Sequence, residues 1–290
     1  MNIRDLIYIS EVAKHKSFAR AADAAFVSQP TLSAQIKKLE NELNIQIFER
    51  DNKHVLITKA GEQIINQANS ILEGVADLKK LATSLNSNNK TTITLGAIPT
   101  LGPYLFPKII PNLKKNFKQI QFKLHEAQTD ELLTDLRAGK IDIALLALPF
   151  KSEGLIVKKL FKESFELALS KSHPLNHKNS ISLSDIKDET ILLLNEGHCL
   201  RDQTIDVCHL NQTQSFHATS LETLIYMTEL NEGVTLLPEL ACKKHHNIKV
   251  KAFKNPKPYR EIIGAYRKSS SLSIQLNAIL KSAVFQCIVI

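Results

Sequence analysis

The sequence predicts an α/β protein: an N-terminal winged helix-turn-helix with a long dimerisation helix, followed by a larger two-lobe α/β domain. Three patterns predict it. Residues 3–43 hold three short runs with apolar side chains at helical spacing, and a small basic hairpin follows them. Residues 58–85 repeat an apolar position every three or four residues. From residue 92 onward strand-like and helix-like runs alternate, the pattern of a sheet flanked by helices.

Composition sets the outer limits. The 290 residues are 43% hydrophobic, enough for globular cores and too much for a disordered chain. Lys and Arg number 37 against 29 Asp and Glu, and the charge of +8 suits a polyanionic partner such as double-stranded DNA. The four cysteines, Cys199, Cys208, Cys242 and Cys287, are too few and too uneven for a secreted disulfide framework. Charge at Arg4 and Asp5 precedes any apolar run, and no segment approaches the length of a membrane span. A cytoplasmic protein with reduced thiols and no membrane contact is expected.

The first helix aligns Ile3, Leu6, Ile7 and Val12, and Ser17 caps a second, alanine-rich one holding Ala21, Ala22, Ala24 and Ala25. Ser28 caps a third, with Pro30 tolerated in its first turn and Leu32, Ile36, Leu39 and Leu43 as its buried stripe. Its other side presents Gln29, Pro30, Thr31, Ser33, Ala34, Lys37 and Lys38. A small polar tip followed by lysines suits a helix that enters the major groove while its cations meet phosphates. The plainer alternative is a solvated helix face. Phe48, Glu49 and Arg50, a turn at residues 51–53, and Val55 and Ile57 then read as a hairpin with Arg50, Lys53 and His54 at its tip. Three helices and a basic hairpin make residues 1–58 a winged helix-turn-helix. In the long helix Ile64, Ala68, Ile71, Val75 and Leu78, continued by Ala82 and Leu85, form a seam that predicts a homodimer; the alternative is packing within its own chain. This segment, residues 59–89, ends in a polar hinge.

Residues 90–290 make the regulatory part. Strands are expected at residues 92–98, 120–124, 141–146, 165–170, 190–194, 234–237 and 262–266, and helices at 104–117, 130–138, 200–210 and 220–230, the last ended by Gly233. Such alternation predicts a parallel sheet, whose ligands bind beyond the carboxyl ends of strands. Thr100, Thr129 and the pair His198-Cys199 each follow such an end, although Thr129 could equally cap its helix. Glu196-Gly197 breaks the apolar run before Cys199, placing this thiol at a helix start beside His198 and Arg201, where a thiolate is favoured. If residues 200–210 are helical, about 13 Å separates Cys199 from Cys208, whereas a disulfide needs a Cα separation of about 4.4–6.8 Å. They can bond only if the helix unwinds, so a bond between them would be a switch and not a staple. Two unrelated buried thiols are the alternative.

Residues 45–62, with Ala21-Ala22, Ser28-Gln29-Pro30 and Leu39-Glu40, resemble the N-terminal signature of the LysR-type transcriptional regulators. Asn44 stands where that family usually has Gly, and Ala34 offers no hydrogen bond to a base edge. The resemblance implies that the helix from Ser28 reads DNA through Ser28, Gln29, Pro30, Thr31, Ser33, Lys37 and Lys38, with Arg50 and Lys53 near the backbone. It implies a periplasmic-binding-protein-like effector domain, with lobe I at about 90–163 and 268–290 and lobe II at about 164–267. Ile98-Pro99-Thr100, Gly102-Pro103-Tyr104, residues 125–129, 197–203 and 218–224, and Leu236-Leu237-Pro238 are similar to the members of that family that sense hydrogen peroxide.

That likeness implies Cys199 as the peroxidatic thiol and Cys208 as the resolving one. Thr100, Thr129, His198 and Arg267 are the donors expected around the peroxide, with Asp202 positioning water or a neighbouring donor. It further implies activation of oxidative-stress genes, a homotetramer, RNA polymerase as partner, a thiol reductant such as glutaredoxin, and no cofactor, metal or enzymatic role. Three rivals stand beside this. His198, Cys199, Cys208 and His209 are metal-ligand types, the interlobe cleft could take a small organic effector, and a thiol peroxidase would use the same first step. Cys242 and Cys287 match no motif.

Overall fold

In a computed structural model of the chain, which describes residues 1–50, 55–85, 90–208, 217–242 and 248–285, capping side chains start the N-terminal helices where the sequence puts them. Asn2 and Asp5 form a capping box that opens α1 (Ile3–His15), Ser17 caps α2 (Phe18–Ala24), and Ser28 caps α3 (Gln29–Leu43). Asn44, at φ 52°, supplies the left-handed residue that ends α3. The antiparallel strands β1 (Phe48–Arg50) and β2 (Val55–Ile57) form the hairpin. Glu40 Oε1 accepts the backbone N–H groups of Ile47 at 2.8 Å and Phe48 at 3.0 Å, so this carboxylate fixes the chain's entry into the hairpin. The turn residues Lys53 and His54, and residues 86–89 of the hinge, lie outside the described residues.

Leu6, Ile9, Val12, Ala21, Ala22, Leu32, Ile36 and Leu39 are buried together with Phe18 and Phe48, whose rings meet edge to face at 5.9 Å. Helix α4 (Lys59–Leu85) adds Ile65 and Ala68 to this core. The seam therefore divides: Ala68 faces its own domain, Val75 is half-buried, and Ile71 and Leu78 are 40% and 66% exposed.

The chain forms two compact units, drawn from residues 1–87 with 137–140 and from residues 88–136 with 141–290. In the second, β3 (Thr91–Ala97) pairs in parallel with β4 (Ile120–Glu126) and β5 (Ile143–Ala147), and α5 (Gly102–Asn116) and α6 (Thr129–Arg137) provide the crossovers. The remainder departs from the expected parallel sheet. The 16-residue β6 (Leu155–Ser170), β9 (Thr235–Pro238), β10 (Ile248–Ala252) and β11 (Tyr259–Arg267) all join antiparallel, in the order β10-β6-β11-β5-β3-β4 with β9 also on β6. Strand direction depends on which partner a strand meets, which an apolar run does not encode. One half of β6 pairs with β11 and the other with β9 and β10, so β6 is a crossing between lobes. A register shift breaks the β6–β11 ladder: Ile262 faces Phe161 but Ile263 faces Lys159, leaving Leu160 as the extra residue of a bulge.

Two cores result. One gathers buried residues between 93 and 147 with Ile262, Ile263, Ala265, Tyr266 and α9 (Ser273–Lys281); the other gathers residues from Phe165 to Phe253 together with Tyr104 of α5. The chain thus re-enters the first lobe along β11, earlier than the boundary expected at 267. In the second lobe β7 (Leu193–Leu194) pairs in parallel with β8 (His217–Ala218), and α7 (Cys199–Cys208) and α8 (Leu221–Glu229) pack beside them. The expected strand at 190–194 narrows to β7 and a bridge from Ile191 to Val234. Asn231, at φ 64°, ends the turn after α8, where Gly233 was expected to do so. Gly233 meets another need, since a Cβ there would lie 2.5 Å from the Thr190 carbonyl oxygen. Among the described residues no helix is long and apolar enough to cross a membrane.

Candidate functional site

Two sites follow from these elements, one in each unit. On α3 the residues Ser28, Gln29, Pro30, Thr31, Lys37 and Lys38 are exposed, and Ser33 is half-buried. Ser28 Oγ accepts the Thr31 N–H at 3.3 Å and contacts Thr31 Oγ1 at 2.7 Å, so both hydroxyls shape the helix tip. This is a stiff polar end with two lysines about two turns behind it, the form needed for groove entry. Arg50 closes β1, and Lys53 lies outside the described residues.

The second site surrounds Cys199. After β7 the chain turns at Gly197, whose φ of 90° disfavours any side chain, and a Cβ there would come 2.5 Å from Gln128 Oε1. That turn sets His198 and Cys199 against the carboxyl ends of β3 and β4. Ile98, Pro99, Thr100, Gln128, Thr129, Gly197, His198 and Cys199 line a tight hollow with almost no room beyond the side chains themselves. The Thr129 hydroxyl is buried and turned towards the Cys199 sulfur. Burial holds the His198 imidazole below its usual pKa, keeping it neutral near pH 7.

Burial also raises the Cys199 pKa, opposed by the Arg260 charge, the Thr129 hydroxyl and the Leu200 N–H. The resting thiol is therefore less acidic than its helix-start position alone predicts. Arg260, only 2% exposed, donates from Nε to Glu163 Oε2 at 2.8 Å, from Nη1 to Thr100 Oγ1 at 3.0 Å and from Nη2 to the Thr100 carbonyl at 3.0 Å. With its oxygen accepting from Arg260, the Thr100 hydroxyl keeps its own proton to donate.

Two expected residues are misplaced. Arg267 is buried at the far end of β11, where Nη1 donates to the carbonyls of Leu136 at 2.7 Å and Ile141 at 3.3 Å. Because β11 runs antiparallel to β5, its amino end reaches the site, so Arg260 stands where Arg267 was expected. Asp202 has a side chain 76% exposed, lies 3.9 Å from Arg201 Nη1, and raises the Cys199 pKa. Besides Arg260, the sequence reading missed Glu163 and Gln128. For Arg260 the signal was an arginine beside the apolar run Ile262 to Tyr266, whereas Glu163 follows three lysines in β6 and had none.

Cys208 closes the ten-residue α7. Its sulfur packs against the second core while Cys199 packs against the first, and burial pushes the Cys208 thiol up to about 12. Both thiols are free. Cys242 donates to the Pro238 carbonyl at 3.4 Å, and its thiol is likewise pushed up to about 12 by burial, with nearby Glu166, Glu163 and Glu239 adding to it. Cys287 and His209 lie outside the described residues. Cys199 and Cys208, at opposite ends of a helix, cannot ligate one ion. Elsewhere His125, Glu131 and Asp135 bring donor atoms within 4.8 Å of one another, with His125 Nε2 3.5 Å from Asp135 Oδ2, the contact of a His–carboxylate pair.

Comparison with known proteins supplies the family. Residues 3–62 match the bacterial regulatory helix-turn-helix protein of the lysR family, and residues 86–284 match the LysR substrate binding domain. The chain is 42% identical over 278 residues to the DNA-binding transcriptional dual regulator OxyR of Escherichia coli, covering 94% of this chain and 91% of that one. It is equally 42% identical over 278 residues to the hydrogen peroxide-inducible genes activator of Pectobacterium carotovorum, covering 94% and 92% of the two chains. Among solved structures, full-length OxyR of Pseudomonas aeruginosa superposes with a TM-score of 0.71 at 36% identity, covering 99% of this chain and 95% of that one. A hydrogen peroxide-bound OxyR variant of Corynebacterium glutamicum superposes at 0.64 with 30% identity, covering 98% and 92%. The chain belongs to the LysR family of bacterial transcriptional regulators, and within that family it closely resembles OxyR.

Proposed function

We propose that this chain is a cytoplasmic transcriptional activator that senses hydrogen peroxide through Cys199 and switches oxidative-stress genes. One arrangement carries the reading: a thiol faces a small hollow edged by two hydroxyls, one of them held by a buried cation, while a second thiol waits at the other end of its helix. The thiol proton passes to neutral His198 or to solvent, and the thiolate attacks one peroxide oxygen. The S–O bond forms as the O–O bond breaks; sulfur is oxidised to a sulfenic acid, and the departing hydroxide takes a proton to become water. Thr100, Thr129, the Leu200 N–H and the Arg260 charge stabilise the negative charge that develops.

The sulfenic acid then condenses with the Cys208 thiol, expelling water and forming the disulfide, and α7 must unwind for the sulfurs to meet. That refolding alters the surface by which regulatory domains pair. DNA-binding dimers joined along α4 are thereby reoriented within a tetramer, and RNA polymerase reads the change. A dithiol reductant of the glutaredoxin kind resets the switch. A small organic effector suits the hollow poorly, because these side chains leave almost no room even for a water-sized body, far short of the roughly 300 Å³ at which such pockets begin.

The test is to reduce the protein, add about one equivalent of peroxide without air, block free thiols and map the peptides. A Cys199–Cys208 linkage is expected, and recovery of both thiols free overturns the proposal. Continuous peroxide loss with excess thiol reductant, uncoupled from any change in DNA binding, would instead identify a peroxidase.

A further inference from the structure

Helix α7 is tied to both lobes of the regulatory unit by different means. Towards the second lobe it is anchored by packing: Leu200 is 2% exposed within that core, and Ile205, Val207 and Cys208 lean on it. Towards the first lobe its ties are Cys199, packed against the first core, and Gln203, which donates from Nε2 to the Leu148 carbonyl at 3.0 Å. Gln203 lies four residues beyond Cys199, so the two share a helix face. Leu148 is itself held, its N–H donating to the Glu261 carbonyl of β11 at 3.0 Å. Gln203 Oε1 is buried without a hydrogen-bond partner, which leaves the amide half satisfied where it sits. Gln203 does not line the peroxide hollow.

Once Cys199 is a sulfenic acid it must leave the first core and travel towards Cys208 at the second. Gln203 then still holds α7 to the first lobe, and its bond to Leu148 has to break. We propose that Gln203 is a positioning residue that latches α7 to the first lobe, and so sets how long the Cys199 sulfenic acid persists before Cys208 resolves it. The inference rests on the peroxide-sensing reading above. A slow latch gives the sulfenic acid time to meet other thiols or further peroxide, whereas a fast one commits each oxidation to the disulfide.

The test separates two rates in the full-length protein. Sulfenic acid formation is followed by dimedone trapping with Cys208→Ser in the background, and disulfide closure by rapid quench and peptide mapping with Cys208 present. Gln203→Met, close in size and without a donor, is expected to leave the first rate within about twofold. It should speed closure by about threefold to tenfold, the range of one net hydrogen bond. Gln203→Asn, too short to reach Leu148, should act in the same direction, and it takes the place of the Met variant if that protein fails to give the circular dichroism of the parent. Closure at the parental rate in either folded variant overturns the latch. So does slowing of both steps together, since that marks general loss of structure at the site. If the parent forms no Cys199–Cys208 disulfide, it is the sensing reading that fails, and trapping in the parent shows this before any Gln203 variant is made.

Discussion

Arg260 neutralises a buried carboxylate and also fixes Thr100, so its loss should register in two measurements. Arg260→Met leaves Glu163, 1% exposed, without its charge partner, and unfolding free energy in urea should fall by about 3–5 kcal/mol. The rate of thiol consumption by peroxide should fall as well, because the cation opposing burial at Cys199 is gone. Adding Glu163→Gln should recover much of the stability and none of the rate; recovery of both would mean that Arg260 is only structural. The same residues predict a pH dependence. Burial holds the Cys199 thiol above its ordinary pKa, so the reaction should keep accelerating with pH beyond about 8.5, where an unperturbed thiol is half ionised. A stopped-flow profile that levels off near neutrality would contradict this.

At the scale of elements, α4 is read by where its apolar residues go. Leu78, 66% exposed, should accept Glu without loss of melting temperature while the dimer weakens by sedimentation. Ala68→Asp should instead destabilise the winged helix itself, because Ala68 is 2% exposed inside that core. A dimer unaffected by Leu78→Glu would remove the seam from the interface. The sequence disclosed those elements whose signals are local: the caps Ser17 and Ser28, the left-handed Asn44, and the turn before Cys199. It hid those that depend on partners. The first half of β6 carries Lys158, Lys159 and Lys162 among half-buried residues and so lacks an apolar run, and the direction of β11 is set only by pairing. That one hidden direction exchanged Arg260 for Arg267, while Thr100, Thr129, His198 and Cys199 line one hollow, because they follow strand ends or a break in the pattern.

Across the whole regulatory unit, both Cys208 and Cys242 hold their protons more tightly when folded, near about 12 each, than an unfolded thiol does at about 8.5. Their contribution to stability is therefore complete below about pH 8.5 and is lost as pH rises towards 12. Urea midpoints of the reduced protein should fall across that window, and Cys208→Ala should fall less steeply; parallel curves would show that the thiol stays exposed to solvent.

The bulge at Leu160 is a place where β6 can change length without changing partners. Ile262 faces Phe161 and Ile263 faces Lys159, so the ladder on either side already runs as if Leu160 were absent. Deleting Leu160 would leave a regular ladder in which Glu163 still faces Arg260, and what would be lost is the local bend and added twist that a bulge gives its strand. The thiol site is thus indifferent to that residue as a spacer, while the angle at which β6 passes from one lobe to the other depends on it.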